Sequence, residues 1–180
     1  PGHSHLRGVA EAVKAGIWQA GGMPVEFGGF AQCPMDVGRS GIRYDTPTRD
    51  IIAAEVETCA QIHCFDGLVL ISSCDKNVPG HLLAAARLDL PAIIVPGGPM
   101  LSGRYQGKDV IITDLDAETW ACGVGRPRLT ESEMDALEHA VCPTAGSCAL
   151  LGTANTMQCL AEAVGLALPG SATAPAPTAQ

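Results

Sequence analysis

The feature that most constrains the fold lies near the middle of the chain. It consists of an apolar run, a polar turn, a helix-forming segment and a second apolar run, in that order. The first run spans residues 67–72 and the second spans residues 92–95. Both are short, unalternating and rich in branched side chains, which is typical of strands buried on both faces. Residues 81–88 between them favour a helix. The order predicts a strand, helix, strand unit and therefore a parallel pair of strands.

Polar and small residues stand directly after both predicted strands. Cys74, Asp75 and Lys76 follow the first strand, and Gly97 and Gly98 follow the second. Ligands of open parallel sheets bind beyond the carboxyl ends of the strands. A thiol, a carboxylate and an amine on three consecutive residues at such an end predict a functional site there. We therefore expect an α/β fold with a mostly parallel sheet, flanking helices and a metal site at the carboxyl ends of the strands.

Composition limits the class of protein. The 180 residues are 47% hydrophobic and only 17% charged, which favours a compact globule. A net charge of -8 argues against nucleic acid or an anionic membrane surface as a partner, and no apolar segment reaches without interruption the roughly 18 residues that span a bilayer. We expect one domain over residues 1–170, a fragment of a longer protein, followed by a low-complexity tail or linker over residues 171–180.

The eight cysteines are even in number but show no compact disulfide framework. Cys59 and Cys159 lie within helical patterns, and a domain of this length needs no disulfides for stability. The pattern indicates a reducing, cytoplasmic location. Cys59, Cys64 and Cys159 are expected to be ordinary core residues, the commonest role of an unmodified cysteine.

A second glycine- and cysteine-containing loop precedes a long apolar segment. Residues 142–148 form this loop, and residues 149–168 are predicted to form one helix. This places Cys148 at a helix start, where thiolates and anions are favoured. The loop and the Cys74 turn are predicted to be two halves of one site.

The remaining segments give a coarse map of the fold. We predict helices at residues 5–20, 46–64 and 130–141, the last opened by a Thr130 to Glu133 capping box, short strands at 24–27 and 110–113, a loop at 28–41, and mostly irregular structure over 101–128.

Several long motifs carry a resemblance to a known family. They are Cys74-Asp-Lys-Asn-Val-Pro-Gly80, Gly97-Gly-Pro-Met100, Gly146-Ser-Cys148, and residues 152–157 and 162–166. In this order they closely resemble the amino-terminal iron-sulfur domain of the dihydroxy-acid dehydratase and sugar-acid dehydratase family. The resemblance runs from Pro1 to Gly170. Members are considerably longer and have a carboxy-terminal domain that is absent here.

The resemblance implies dehydration of a 2,3-dihydroxy acid to a 2-keto acid with an iron-sulfur cluster and Mg²⁺. Cys74 and Cys148 match cluster ligands, Asp75 matches a magnesium ligand, and Lys76 matches a lysine that in some members is carboxylated and binds magnesium. Soft thiolates suit iron and hard carboxylates suit magnesium, so adjacent residues can hold different metals. The resemblance also implies homo-oligomers, an active site between two domains and a serine base in the absent domain.

The chain departs from the family at cysteine positions. Members with a two-iron cluster have a cysteine where this chain has Gly2, and members with a four-iron cluster have one where this chain has Ala145. The third cluster ligand stays open between Cys142 and Cys33, and so does the choice between a [2Fe-2S] and a [4Fe-4S] cluster. Asp36 is a candidate magnesium ligand from the shortened loop around Cys33.

Three functions compete at this point. The first is a dehydratase, acting on branched-chain dihydroxy acids such as 2,3-dihydroxyisovalerate or on sugar acids of the arabinonate, xylonate or gluconate type. The second is a non-catalytic iron-sulfur relative. The third is a zinc or thiol-redox protein, which the absence of any Cys-x-x-Cys pair makes the weakest.

Overall fold

A parallel pair of strands with a helical crossover forms the centre of the fold. The computed structural model describes residues 3–31, 42–125 and 129–178. Strand β1 (Leu68–Ser72) pairs in parallel with β2 (Ala92–Pro96), with Leu68 opposite Ala92 and Ser72 opposite Pro96. The crossover is helix α3 (Asn77–Leu88). The predicted α/β class and its strand, helix, strand unit are confirmed.

The other elements surround this unit or form a second small cluster. In chain order they are α1 (Leu6–Gln19), α2 (Thr48–His63), β3 (Gly103–Tyr105), β4 (Lys108–Val110), α4 (Ile112–Gly123), α5 (Glu131–Ala140) and α6 (Thr153–Ala163), with 3₁₀ turns at Ile42–Tyr44 and Ala176–Thr178. Strands β3 and β4 pair antiparallel. None of the described helices is long and apolar enough to span a bilayer.

The main core lies between α2, α3, α6 and the parallel strands. Ile52 and Val56 of α2 and Ala161 of α6 are almost fully buried. Helices α2 and α3 approach closely at Gly80, where an added Cβ would lie 2.7 Å from the Ile52 Cγ2 atom. The small residue therefore sets the spacing between α2 and α3, and the first turn of α3 follows the carboxyl end of β1.

A second apolar cluster joins the β3–β4 hairpin to α4 and α5. Val110, Leu137 and Val141 are buried in it. The predicted capping box opens α5: the Thr130 hydroxyl accepts a hydrogen bond from the Glu133 amide, and the Glu133 carboxylate accepts one from the Thr130 amide. This cluster supports the loop that carries Cys142 and Cys148.

Three element predictions are wrong. Residues 24–27 form no strand; Glu26 instead pairs with Lys14 of α1 at 2.7 Å. Helix α4 occupies much of the segment predicted to be irregular, and it begins where a strand was expected. Its start is fixed by Asp114, whose side chain accepts a hydrogen bond from the Ile111 amide at 2.8 Å, a cap without the usual serine or threonine signal.

The third error concerns the helix after Cys148. Helix α6 begins at Thr153, not at Ala149. The Asn155 amide donates hydrogen bonds to the carbonyls of Cys148 at 2.8 Å and Leu150 at 2.6 Å. Because these carbonyls bond to a side chain, the intervening residues follow a non-helical path. Cys148 therefore lies in a loop rather than at a helix start.

The segment after α6 returns to the carboxyl ends of the strands. Glu162 accepts hydrogen bonds from the amides of Gly170 and Ala172, and the Ala176 amide donates to the Pro99 carbonyl at 2.9 Å. Ala172 and Ala176 are buried. Residues 171–178 thus pack against the loop that follows β2.

Candidate functional site

Cys74 lies in a tight turn between β1 and α3. Its amide donates to the Asn77 side-chain oxygen at 2.8 Å, and its carbonyl accepts from the Val78 amide at 3.2 Å. The preceding Ser73 is buried, and Cys74 itself is half-buried. The turn therefore fixes the backbone of Cys74 while leaving its side chain near the surface.

The loop after β2 is pressed against this turn. The Gly97 amide donates to the Ser72 carbonyl at 2.7 Å, and an added Cβ on Gly97 would lie 2.5 Å from the Ser73 Cβ. The His5 Nε2 atom lies 2.7 Å from the Gly97 carbonyl oxygen, so the imidazole donates to it from the start of α1. Only glycine at position 97 permits the loop to approach Ser73 this closely.

The loop that contains Cys148 meets the other side of the same segment. The Ser147 amide donates to the Gly98 carbonyl at 2.9 Å, and the Met100 amide donates to the Ser147 carbonyl at 2.8 Å. Gly146 has a φ of 119°, and an added Cβ there would lie 2.4 Å from the Met100 nitrogen. Residues 97–100 therefore join the Cys74 turn to the Cys148 loop by backbone hydrogen bonds.

Asn155 fixes the Cys148 loop through side-chain hydrogen bonds. Besides its two amide donations, its side-chain oxygen accepts a hydrogen bond from the Ser147 hydroxyl. Both side chains are buried. Sequence reasoning used Asn155 only as part of a motif and did not assign it this role, because the bonded carbonyls become its neighbours only through the non-helical path.

Lys76 forms the electrostatic centre of the site. Its ammonium donates to the carboxylates of Asp75 and of Asp45, the latter at 2.9 Å, and only 3% of the residue is exposed. Burial alone would lower the pKa of Lys76, but hydrogen bonds and charge from the two carboxylates outweigh it and raise the pKa above its usual value. Two carboxylates and one ammonium give this cluster of side chains a net negative charge, which favours cations.

Asp45 was missed by the sequence analysis. It follows the 3₁₀ turn Ile42–Tyr44 and precedes α2, and it carries no recognisable motif. The Thr48 hydroxyl donates to the Tyr44 carbonyl at 2.6 Å and so closes the turn around Asp45. The only signal available was an acidic residue just before a helix, which usually indicates a cap.

A buried polar pair lies directly behind Cys74. Ser72 is fully buried, and its hydroxyl lies 2.6 Å from the Nδ1 atom of His81 in α3. Burial lowers the pKa of His81 to about 4, so the imidazole is neutral at pH 7. The pair bonds β1 to α3 through neutral groups and adds no charge to the site.

Comparison with known proteins shows the family. The whole chain, residues 1–180, matches the model for the amino-terminal part of dihydroxy-acid and 6-phosphogluconate dehydratases. The chain belongs to this dehydratase family. The resemblance predicted from its motifs is thus confirmed.

Similar proteins are named dihydroxy-acid dehydratase. The chain is 53% identical over 178 residues to that of Halothermothrix orenii and 50% identical over 177 residues to that of Moorella thermoacetica. It is 48% identical over 180 residues to that of Pyrococcus furiosus. Each match covers at least 98% of this chain and 32% of the relative. The chain therefore spans about a third of the length of these dehydratases.

The remaining predicted site residues are not brought together to the same degree. Cys142 is half-buried beside the apolar cluster of Val110, Leu137 and Val141. Cys33 and Asp36 lie outside the described residues. Within the described part of the chain, no three His, Cys, Asp or Glu side chains converge in a way that could hold a metal ion. These residues therefore do not identify a third ligand in addition to Cys74 and Cys148.

The other cysteines differ from one another in burial. Cys59 and Cys159 are half-buried, but Cys64 is exposed at the end of α2 with a left-handed φ of 52°. The prediction that Cys64 is a core residue is wrong, because it occupies the helix C-cap rather than the inward face of α2.

Proposed function

We propose that this chain forms the cofactor-bearing part of a hydro-lyase that dehydrates a 2,3-dihydroxy acid, such as 2,3-dihydroxyisovalerate, to a 2-keto acid. The reaction removes the C2 proton and the C3 hydroxide as water, and the resulting enol rearranges to the ketone. The observation that carries the proposal is the backbone junction at residues 97–100, which joins the Cys74 turn and the Cys148 loop at the carboxyl ends of the parallel strands. The names of the relatives supply the substrate class.

The side chains fit two cofactors of different chemistry. Cys74 and Cys148 are thiols on adjoining loops and would ligate an iron-sulfur cluster, with Cys142 or Cys33 as the third ligand. Asp75 and Lys76 would hold Mg²⁺, Lys76 after carboxylation, and Asp36 is a further candidate. The net negative cluster around Lys76 supports a cation there. When bound, the cluster supplies a Lewis acid for the leaving hydroxide and Mg²⁺ orients the carboxylate and 2-hydroxyl.

The chain's own residues position these groups rather than transfer the proton. Two buried serines near the site bond to other side chains, Ser72 to His81 and Ser147 to Asn155. The resemblance to the family implies that the base that accepts the C2 proton, a serine, lies in the part of the relatives that this chain does not cover. The 180-residue chain alone is expected to show little or no turnover.

Exposed apolar side chains are consistent with a surface that is covered in the working enzyme. Leu160, Val164 and Leu168, in and just after α6, are 46%, 60% and 64% exposed. We propose that the protein functions as a homo-oligomer in the cytoplasm and that a carboxy-terminal domain completes the active site.

Anaerobic cluster reconstitution tests the assignment of the thiols. We expect the wild-type chain to bind iron and sulfide and to turn brown, and Cys74→Ser and Cys148→Ser to lose most of the iron. Cys64→Ser is the matched control, because Cys64 is exposed at the far end of α2, and it should retain iron as the wild type does. Equal iron in all four proteins would contradict the proposal.

Turnover is tested in a chimera that joins this chain to the remaining part of the Halothermothrix orenii relative. We expect 2-keto acid from 2,3-dihydroxyisovalerate. Product from arabinonate, xylonate or gluconate alone would move the protein to the sugar-acid branch. A chimera that binds iron but dehydrates none of these acids would support the non-catalytic alternative.

A further inference from the structure

The Asp45 carboxylate is buried next to the site but is only partly accounted for by its ion pair. Asp45 is 8% exposed, and one of its oxygens, Oδ2, lies 2.9 Å from the Lys76 Nζ atom. The other oxygen, Oδ1, is buried and has no hydrogen-bond partner among the described residues. A buried polar atom without a partner loses its hydration without compensation, and the loss is larger when the atom is charged. The ion pair alone therefore leaves this oxygen unexplained.

The arrangement around Lys76 points to what the second oxygen binds. Asp45 and Asp75 approach the same ammonium from two different segments of the chain, so both carboxylates face one point. They carry one negative charge more than Lys76 neutralises. We propose that Asp45 is a further metal ligand, which together with Asp75 supplies oxygens to the divalent cation of the proposed site. This inference rests on the proposed function, because it takes the cation at Asp75 as given.

The Lys76 ammonium holds the two carboxylates together as a bound cation would. An ammonium and a divalent metal ion both need several oxygen partners, but the metal requires shorter contacts, about 2.0–2.1 Å for Mg²⁺. Asp45 at 2.9 Å from Nζ would have to move by about an ångström, and Lys76 would have to withdraw or become carboxylated. The turn held by Thr48 and Tyr44 keeps Asp45 within that reach.

The two-carboxylate arrangement also accounts for the limited donor set. No three His, Cys, Asp or Glu side chains of the described residues converge on a metal position, and the two aspartates instead share the Lys76 ammonium. Mg²⁺ is commonly held by only one or two carboxylates with water or substrate oxygens in the remaining positions. Asp45 and Asp75 together therefore match the usual number of carboxylates at such a site.

Mn²⁺ binding in bicarbonate buffer tests the inference. Binding is measured by the decrease in the electron paramagnetic resonance signal of the unbound ion. We expect Asp45→Asn to weaken Mn²⁺ binding about tenfold or more, as Asp75→Asn does. Asp50→Asn is the matched control, since Asp50 lies on the first turn of α2 with an exposed side chain, and its affinity should stay within twofold of wild type. Retained affinity in Asp45→Asn with loss in Asp75→Asn would overturn the role of Asp45 and leave the proposed function intact.

A second variant separates direct ligation from a general charge effect and does not depend on Asp45→Asn folding. In protein labelled with ¹³C at the aspartate carboxyl carbons, electron-nuclear double resonance counts the aspartates bound to Mn²⁺. Asp45→Glu retains the charge but removes one label, so we expect one coupled carboxyl carbon fewer than in wild type. An unchanged number would overturn direct ligation. If the wild-type chain binds no Mn²⁺, the metal part of the proposed function fails, and this inference fails with it.

Discussion

Gly146 offers the sharpest test of how the two cysteine-bearing loops are held together. Its φ of 119° is unfavourable for a side chain, and a Cβ would lie 2.4 Å from the Met100 nitrogen and 2.6 Å from the Pro99 carbonyl carbon. These are backbone atoms and cannot move aside as a flexible side chain does. Gly146→Ala must therefore strain its own backbone or separate the Cys148 loop from residues 97–100.

The expected cost follows from these two effects. An unfavourable backbone conformation costs about 1–3 kcal/mol, and overpacking adds about 1–3 kcal/mol. Gly107→Ala is the matched control, because Gly107 has a φ of 80° but no atom within 4 Å of an added Cβ. The control isolates the conformational part, so Gly146→Ala should lower the free energy of unfolding by about 1–3 kcal/mol more than Gly107→Ala does.

Urea denaturation followed by circular dichroism measures this difference. Each kcal/mol should also shift the melting temperature by about 2–4 °C for a chain of this size. Because the clash falls between the loops, Gly146→Ala should further reduce the iron bound after reconstitution, whereas Gly107→Ala should not. Equal losses of stability in the two variants would refute the close approach of these loops.

Three further substitutions test buried polar groups. Gln158 is fully buried and its amide has no hydrogen-bond partner among the described residues, so Gln158→Met should raise the free energy of unfolding by about 1–3 kcal/mol in urea denaturation; a loss of stability would reveal an unseen partner. Because burial lowers the pKa of His81 to about 4, the unfolded chain binds its proton more readily, and about 3 kcal/mol of stability should vanish as the pH falls from about 6.5 to 4. His81→Gln should flatten that part of the pH profile, while His63→Gln, at an exposed position, should leave it; a steep profile in both variants would exclude His81 as its source. Lys76→Met leaves two buried carboxylates without their cation and should cost about 3–5 kcal/mol at pH 7; a cost no larger than that of Lys14→Met, which breaks surface ion pairs, would contradict this reason.

The predictable part of the fold is the part that local patterns encode. Two apolar runs of branched residues around a helix former define β1, α3 and β2, and a capping box defines the start of α5. These signals depend on neighbours in the sequence. Helix α4 was not predicted because Asp114 caps it without a serine or threonine. The predicted start of α6 lay too close to Cys148 because the Asn155 amide donates hydrogen bonds to the carbonyls of Cys148 and Leu150. Both errors come from side-chain hydrogen bonds to the backbone, which periodicity does not report.

The candidate site was predictable where its reactive side chains lie on consecutive residues, but not where they come from distant parts of the sequence. The position of Cys74, Asp75 and Lys76 directly after a buried strand indicates a site. Asp45 is 31 positions before Lys76 in the sequence, and the ion pair between them exists only after α2 has packed on α3. Its ordinary place before a helix gives no indication of that partner.

The frame of the site is therefore separable from its metal-binding side chains. Residues 97–100 join the two loops through backbone amides and carbonyls, and Gly97 and Gly146 permit the approach by lacking a side chain. Ala145 makes none of the backbone hydrogen bonds that the described residues show at this junction. The side chain at that position can therefore change without removing the hydrogen bonds that align the loops. Iron content and stability should consequently vary independently among cysteine variants of this chain but together among variants of its loop glycines.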